Sequence, residues 1–350
     1  MQFKAVMLVD SPQSQNGRGR GASQATALEH VANRPILHHV LDSLVEASVE
    51  AVVVAGEADV LIDVRACVRD YGTRIDRVEY APCRGGADLA NTLRVLAPLV
   101  GSSPCLIHPA DGLLDAPVTC YLDLLERGAP DLVLLVAPDG ENAADAVKRT
   151  SLGPDALTDD SHGIADIGVF ASGALARAAD AVRGIDAADL AVAGRRFAAD
   201  GANVLLHPVD GWCRYRGHGS DLLELNRVAL DRLAPDAPGL PGTTNRLEGR
   251  VLIDPTATVL DSVIIGPAVI GPGATVKDSY IGPYTSIGAG ARIEGTEIER
   301  SIVASGASVM HVGGRLGSSL VGRDARVFRD FSLPRALRLW VGDGDEVALC

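Results

Sequence analysis

Three stretches of the chain bring together side chains able to do chemistry. The first is FKAVMLVD (3–10), which runs through SPQSQNGRGRGASQ towards HVANRPILHHVLDSL (30–44). An apolar strand, a glycine-containing loop and a helix together offer backbone N–H groups and a positive helix end to phosphates. Here, however, Asp10 heads the loop, Ser11 follows, and Pro12 has no N–H to give. A carboxylate in that place repels a phosphate. Arg18 and Arg20, in NGRGRG, could answer an anion, or could sit in a solvated flexible loop. The second stretch is CLIHPADGLL (105–114), where His108 and Asp111 close an apolar run. A histidine and a carboxylate can act as acid and base, and an aspartate at a strand end can ligate a metal or cap the next turn. The third is GWCRYRGHG (211–219), in which Arg214 and Arg216 flank Tyr215 and precede His218. Two arginines there could hold a phosphate or a carboxylate, or form a solvated basic turn.

The surrounding elements read as an α/β fold. Apolar runs at 5–9, 51–56, 77–81, 105–109, 131–137, 165–171 and 203–209 predict strands. Amphipathic stretches at 35–47, 86–100 and 118–128 predict helices between them. Near-continuous apolar strands alternating with helices mean a mostly parallel, Rossmann-like sheet covered on both faces, with ligands at the carboxyl ends of its strands. A Pro/Gly-rich connection follows, so the expected organisation is an α/β domain over 1–232, a linker over 233–248 and a second domain over 249–350. In that last part an aliphatic recurs about every six residues, at Ile253, Val259, Ile264 or Ile265, Ile270, Val276, Ile281, Ile287, Ile293 and Ile298. A hexapeptide period of this kind stacks into a parallel β-helix. The repeat reads as degrading after Val309, with 327–349 expected to cap the solenoid or to pack on the first domain.

Composition narrows the function classes. A net charge of −13 over 350 residues excludes a broad basic footprint for nucleic acid or an anionic membrane. The cysteines at 67, 83, 105, 120, 213 and 350 form no CxxC pair, and reduced thiols are expected rather than a zinc site or disulfides. No apolar run reaches the ~20 residues of a membrane span, and the N-terminus lacks a secretory pattern. A cytoplasmic protein is expected.

HVANRPILHHVLDSL, the pair RGGADLANTL and HPADGLL, DLLELNRVALDRL, and the closing SYIGPYTSIG, EIERSIV, SSLVGRDARV and LWVGDGDEV resemble, in order, the long form of glucose-1-phosphate thymidylyltransferase. The resemblance implies a nucleotidyltransferase domain followed by a left-handed β-helix. It implies a reaction in which a sugar-1-phosphate attacks the α-phosphorus of a nucleoside triphosphate, with magnesium, and releases pyrophosphate. The protein's part in such a step is charge neutralisation and alignment. By the family pattern Asp111 stands at the first metal-binding aspartate, whereas Tyr215 falls at the second. Asp10 and Ser11 replace the loop glycines, Gln15 the loop arginine, Thr26 the lysine and Tyr80 a base-reading glutamine. Gly85 and Ala87 of the base pocket survive, and the Glu-Lys-Pro motif has no counterpart near Lys148 and Arg149.

Each lost charge in such a site costs several kcal/mol of transition-state stabilisation. The expectation is therefore a diverged homologue that has lost the usual transfer and binds a ligand, regulates, or runs a different metal-independent reaction. The alternative is an active enzyme in which Arg18, Arg20, Arg214 and Arg216 replace the lost groups. Asp111, His108 and Asp10 are the candidate catalytic residues. Arg18, Arg20, Tyr80, Gly85, Ala87, Asp166, Arg214, Tyr215, Arg216 and His218 are the candidate cleft. No cofactor is expected, and magnesium, on Asp111, only if transfer is retained. Expected partners are a small molecule in the cleft and further copies of the chain. His311, alone of its type in the repeat, reads as a turn histidine rather than an acyltransferase base.

Overall fold

The computed structural model describes residues 3–10, 25–72, 74–75, 77–83, 88–138, 162–184, 189–209, 211–234, 244–329 and 331. In chain order the first part contains β1 (Lys4–Val9), a 3-10 turn (Thr26–Leu28), β2 (His30–Val31), β3 (Arg34–Pro35), α1 (Ile36–Glu46), β4 (Ala51–Gly56), α2 (Val60–Tyr71), β5 (Val78–Pro82) and α3 (Leu89–Val100). Then come β6 (Cys105–Pro109), β7 (Gly112–Leu114), α4 (Thr119–Leu122), α5 (Leu124–Gly128), β8 (Leu132–Pro138), β9 (His162–Phe170), α6 (Ala174–Ala181), α7 (Leu190–Ala199), β10 (Val204–Pro208), β11 (Trp212–Arg214) and α8 (Gly219–Asp231).

Seven strands form one sheet in the order β10-β8-β9-β6-β1-β4-β5. All neighbours run parallel except β9, which is antiparallel to both β6 and β8. The alternation that buries both faces is visible in β1. Ala5, Met7 and Val9 pack beneath α1 and α2, while Val6 packs with α3 on the other side. Helix α2 starts where the Asp59 carboxylate accepts the Val60 N–H, and α3 starts where Asp88 accepts the Asn91 N–H. Asp59 and Asp88 thus set where helical periodicity begins.

Between Arg246 and Phe328 fifteen strands, β12 to β26, build three five-stranded parallel sheets. They wind into a left-handed β-helix. Its core is the predicted ladder, with Ile264, Ile281 and Ile298 on one wall and Val259, Val276, Ile293 and Val309 on another. At one corner Ser262, Ser279 and Thr296 lie beneath one another. The Ser262 hydroxyl donates to Leu260 O and accepts Ser279 N–H, and Ser279 does the same one coil on. Corner backbone is thereby satisfied without water.

Two sequence expectations need correction here. Arg246–Glu248, placed in the 233–248 connection, pair with Val263–Ile265 as the first strand of the β-helix. The repeat also persists past Val309, because Leu316, Val321 and Val327 stay in register with Ile298, Val303 and Val309. Ser301 and Ser319 are 18 residues apart where Ser262 and Ser279 are 17 apart, and that slip hides the later period.

The third wall turns one residue of each strand outward, giving the row Leu252, Val269, Ser286, Ile302 and Leu320. Val269 and Ile302 pack into the α1/α2 core of the first part. The fixed point of this contact is Asn226 on α8, which is 1% exposed. Its Oδ1 accepts the Ala32 N–H at 2.8 Å and the Ser286 hydroxyl at 2.6 Å, and its Nδ2 donates to Tyr284 O at 3.0 Å. Ala32 and Asn33, both at positive φ, make the tight turn between β2 and β3, and Asn33 Nδ2 donates to Ile287 O at 2.7 Å. The VANRP segment of the sequence is thus the hairpin that grips the β-helix.

Candidate functional site

Sheet order brings three aspartates to one edge. Asp10 follows β1, and Asp111 lies in the turn between β6 and β7, so both stand at carboxyl ends of adjacent parallel strands. Because β9 runs the other way beside β6, with Gly168 opposite Ile107, Asp166 reaches the same edge. Asp166 adopts φ 54° where the β8–β9 pairing slips between Leu134 and Val136, an irregularity of the kind that re-aims a strand side chain.

The ribbon β7–β11 supplies the fourth member. Arg214 pairs with Gly112, and Tyr215 N–H donates to Asp111 O at 3.0 Å. Gly112 cannot carry a side chain, because a Cβ there would fall 2.1 Å from the Trp212 ring. From this seat the planar Arg214 guanidinium spreads over all three acids. Nε donates to Asp111 Oδ1 at 2.8 Å, Nη1 to Asp166 Oδ2 at 2.8 Å and Nη2 to Asp10 Oδ2. The other Asp111 oxygen accepts the Thr26 hydroxyl at 2.6 Å.

Burial dominates the electrostatics. Asp111 is 1% exposed, and burial pushes its carboxyl above the usual range while Arg214 and Thr26 pull it back. Burial likewise raises Asp166, opposed by Arg214. For Arg214 burial works against the charge, but Asp111, Asp10 and Asp166 more than offset it and hold the guanidinium protonated. With every carboxylate ionised the cluster carries three negative charges against one positive. Magnesium needs near-octahedral oxygens at about 2.0–2.1 Å. Here both Asp111 oxygens are engaged and a guanidinium lies between the acids. The residues therefore do not fit that ion. Among the described residues no group of three or more His, Cys, Asp or Glu is arranged to hold a metal.

The other sequence candidates sit elsewhere. His108 is 3% exposed, and its Nδ1 donates to Pro109 O at 2.6 Å while its ring meets the Trp212 ring edge-on at 5.6 Å. Burial lowers its pKa to about 4, so it is neutral at physiological pH. Tyr80 lies under the Arg65 guanidinium of α2 at 4.5 Å and packs on the α1/α2 side of the sheet. The Tyr215 ring packs on the same core. Arg216 and His218 are exposed at the start of α8, where Asp221 Oδ2 accepts both of their backbone N–H groups. His311 is half exposed at a β-helix corner with φ 51°, 4.0 Å from Glu294. Arg18, Arg20, Gly85 and Ala87 lie outside the described residues, as do Ser11, Pro12, Gln15, Lys148 and Arg149.

Thr26 escaped notice as a contributor, since by sequence it is merely a lost lysine, yet its hydroxyl orients the central acid. The resemblance to the thymidylyltransferases carried a partial signal, for single members of the cluster and not for their meeting. An acid stands where glycine is expected at 10, and arginines flank the position of a missing acid at 215. Read together, these changes compensate one another.

No protein-family model matches the chain. A glucose-1-phosphate thymidylyltransferase from Streptomyces griseus is 29% identical over 333 residues, 92% of either chain. One from Streptomyces antibioticus is 29% identical over 150 residues, 43% of this chain and 42% of its own. Among solved structures, a Bacillus anthracis protein provisionally assigned to the same activity, solved with sucrose, has a TM-score of 0.49 at 12% identity, over 67% of this chain and 97% of its own. Over nearly its whole length, then, the chain is similar to the glucose-1-phosphate thymidylyltransferase of Streptomyces griseus.

Proposed function

We propose that this protein is a diverged sugar-nucleotidyltransferase homologue that has lost the usual nucleotidyl transfer, and that its α/β cleft serves as a small-molecule binding site in a ligand-binding or regulatory role. The observation that carries the reading is Arg214 bonded to Asp10, Asp111 and Asp166 at the carboxyl edge of the sheet. Transfer from a triphosphate needs that edge to supply positive charge to the phosphates. The cluster instead leaves an excess of negative charge, which repels them. Thr26, in place of a lysine, adds no charge to offset this.

The similarity to the Streptomyces griseus enzyme over 92% of the chain supports a second reading, an active thymidylyltransferase-like enzyme that joins a nucleoside triphosphate to a sugar-1-phosphate. A coupled pyrophosphate-release assay with magnesium, several sugar-1-phosphates and the common triphosphates separates the two. No release above the protein-free blank is expected, and turnover at ordinary enzyme rates overturns the main reading. The protein is further proposed to be cytoplasmic and homo-oligomeric, and light scattering of the full chain tests the assembly. Among the described residues no helix is long and apolar enough to cross a membrane.

A further inference from the structure

We infer that Arg214 is the resident cation of the cleft: its guanidinium has taken the place of a divalent ion, and the wild-type cleft binds its ligand with no metal at Asp111. The inference rests on the reading of the cleft given above but concerns what neutralises the acids rather than whether transfer occurs.

The geometry supports a replacement rather than an incidental ion pair. Each nitrogen of the guanidinium meets a different carboxylate, and the three acids come from three neighbouring strands, two from the ends of β1 and β6 and one from within β9. Arg227 also meets three acids, Asp115, Glu224 and Asp231, but at 29% exposure, so burial sets Arg214 apart: it is 10% exposed and its central partner 1% exposed. Burying an acid such as Asp111 is costly without a bound cation beside it. In a transferring enzyme that cation would have to enter with the substrate and leave with the product. Here it is covalently attached to β11, and the backbone bond from Tyr215 to Asp111 keeps it in place. The cleft is consequently neutralised to the same extent in the presence and absence of ligand.

Two measurements on the full-length protein test this. The first is Mn²⁺ binding to the wild type, followed by electron paramagnetic resonance. No saturable site is expected, and a site abolished by Asp111→Asn overturns the inference. The second uses Arg214→Ala, which leaves the three acids without their cation. The thermal midpoint of that variant is expected to rise by several degrees with millimolar Mn²⁺ or with low guanidinium ion, with no comparable rise in the wild type. A folded variant that responds to neither cation overturns the inference. Should Arg214→Ala alone fail to fold, Arg214→Ala with Asp10→Asn lowers the repulsion and takes the same test. The pyrophosphate assay stands apart: a wild type that neither transfers nucleotide nor lacks a Mn²⁺ site on Asp111 sinks this inference and leaves the functional reading intact.

Discussion

Two buried polar centres hold this molecule, and they differ in how their accounts close. At Asn226 a neutral carboxamide meets two donors and one acceptor, so each polar atom on both sides of the contact is satisfied. At Arg214 one guanidinium meets three carboxylates, so hydrogen bonds are made but charge does not balance. A centre of the first kind fixes geometry and little else. One of the second kind costs stability through desolvation and keeps it only while the cation stays. The surplus acid at Arg214 is therefore the feature on which the proposed function rests.

Arg214→Ala should separate the two centres most sharply. It strands a fully buried acid and two neighbours, and a loss of about 3–5 kcal/mol is expected in urea unfolding. Asn226→Ala leaves the Ala32 N–H and Tyr284 O without partners, with a loss of about 2–3 kcal/mol. That loss should be insensitive to added salt, unlike the first. Thr26→Val removes a hydrogen bond to a charged group and should cost about 1.5–2 kcal/mol in the same experiment.

The smallest effect is one of pH. His39, beside the hairpin, has Nε2 on Val31 O at 3.0 Å, and His108 lies behind β11, so each centre has a buried histidine next to it. Burial lowers both pKa values from 6.5 to about 4. Their neutral forms stabilise the fold fully above the unfolded value of 6.5, and that contribution is lost as pH falls from there towards about 4. Each should cost about 1 kcal/mol between roughly pH 7 and 5.5. His39→Gln and His108→Gln should each remove about half of that slope, and a slope unchanged by both contradicts the burial argument.

Much of the frame was legible because its signals are local. The runs 51–56 and 105–109 read as strands with the bounds they have, since apolar β-branched stretches between breakers allow little else. The inward Ile and Val of the early coils were equally plain, until the step from 17 to 18 residues disturbed their spacing. The helix read at 118–128 is instead α4 and α5, which meet at Asp123. Helices α2, α6 and α7 were not placed from the sequence. The site was legible only in parts. Asp10, Asp111, Asp166 and Arg214 were each singled out, but their meeting depends on strand order, on the antiparallel run of β9 and on the β7–β11 register. No spacing in a sequence encodes those, and without them an arginine beside a missing acid reads as open to a phosphate. Asn226 was silent for the same reason, as its partners come from residues 32, 284 and 286.

The most direct test of the central claim, that Arg214 closes the acid edge against a triphosphate, is calorimetric titration of the full chain with deoxythymidine triphosphate and magnesium. The account predicts no saturable heat. Saturable binding that disappears in Asp111→Asn would contradict it.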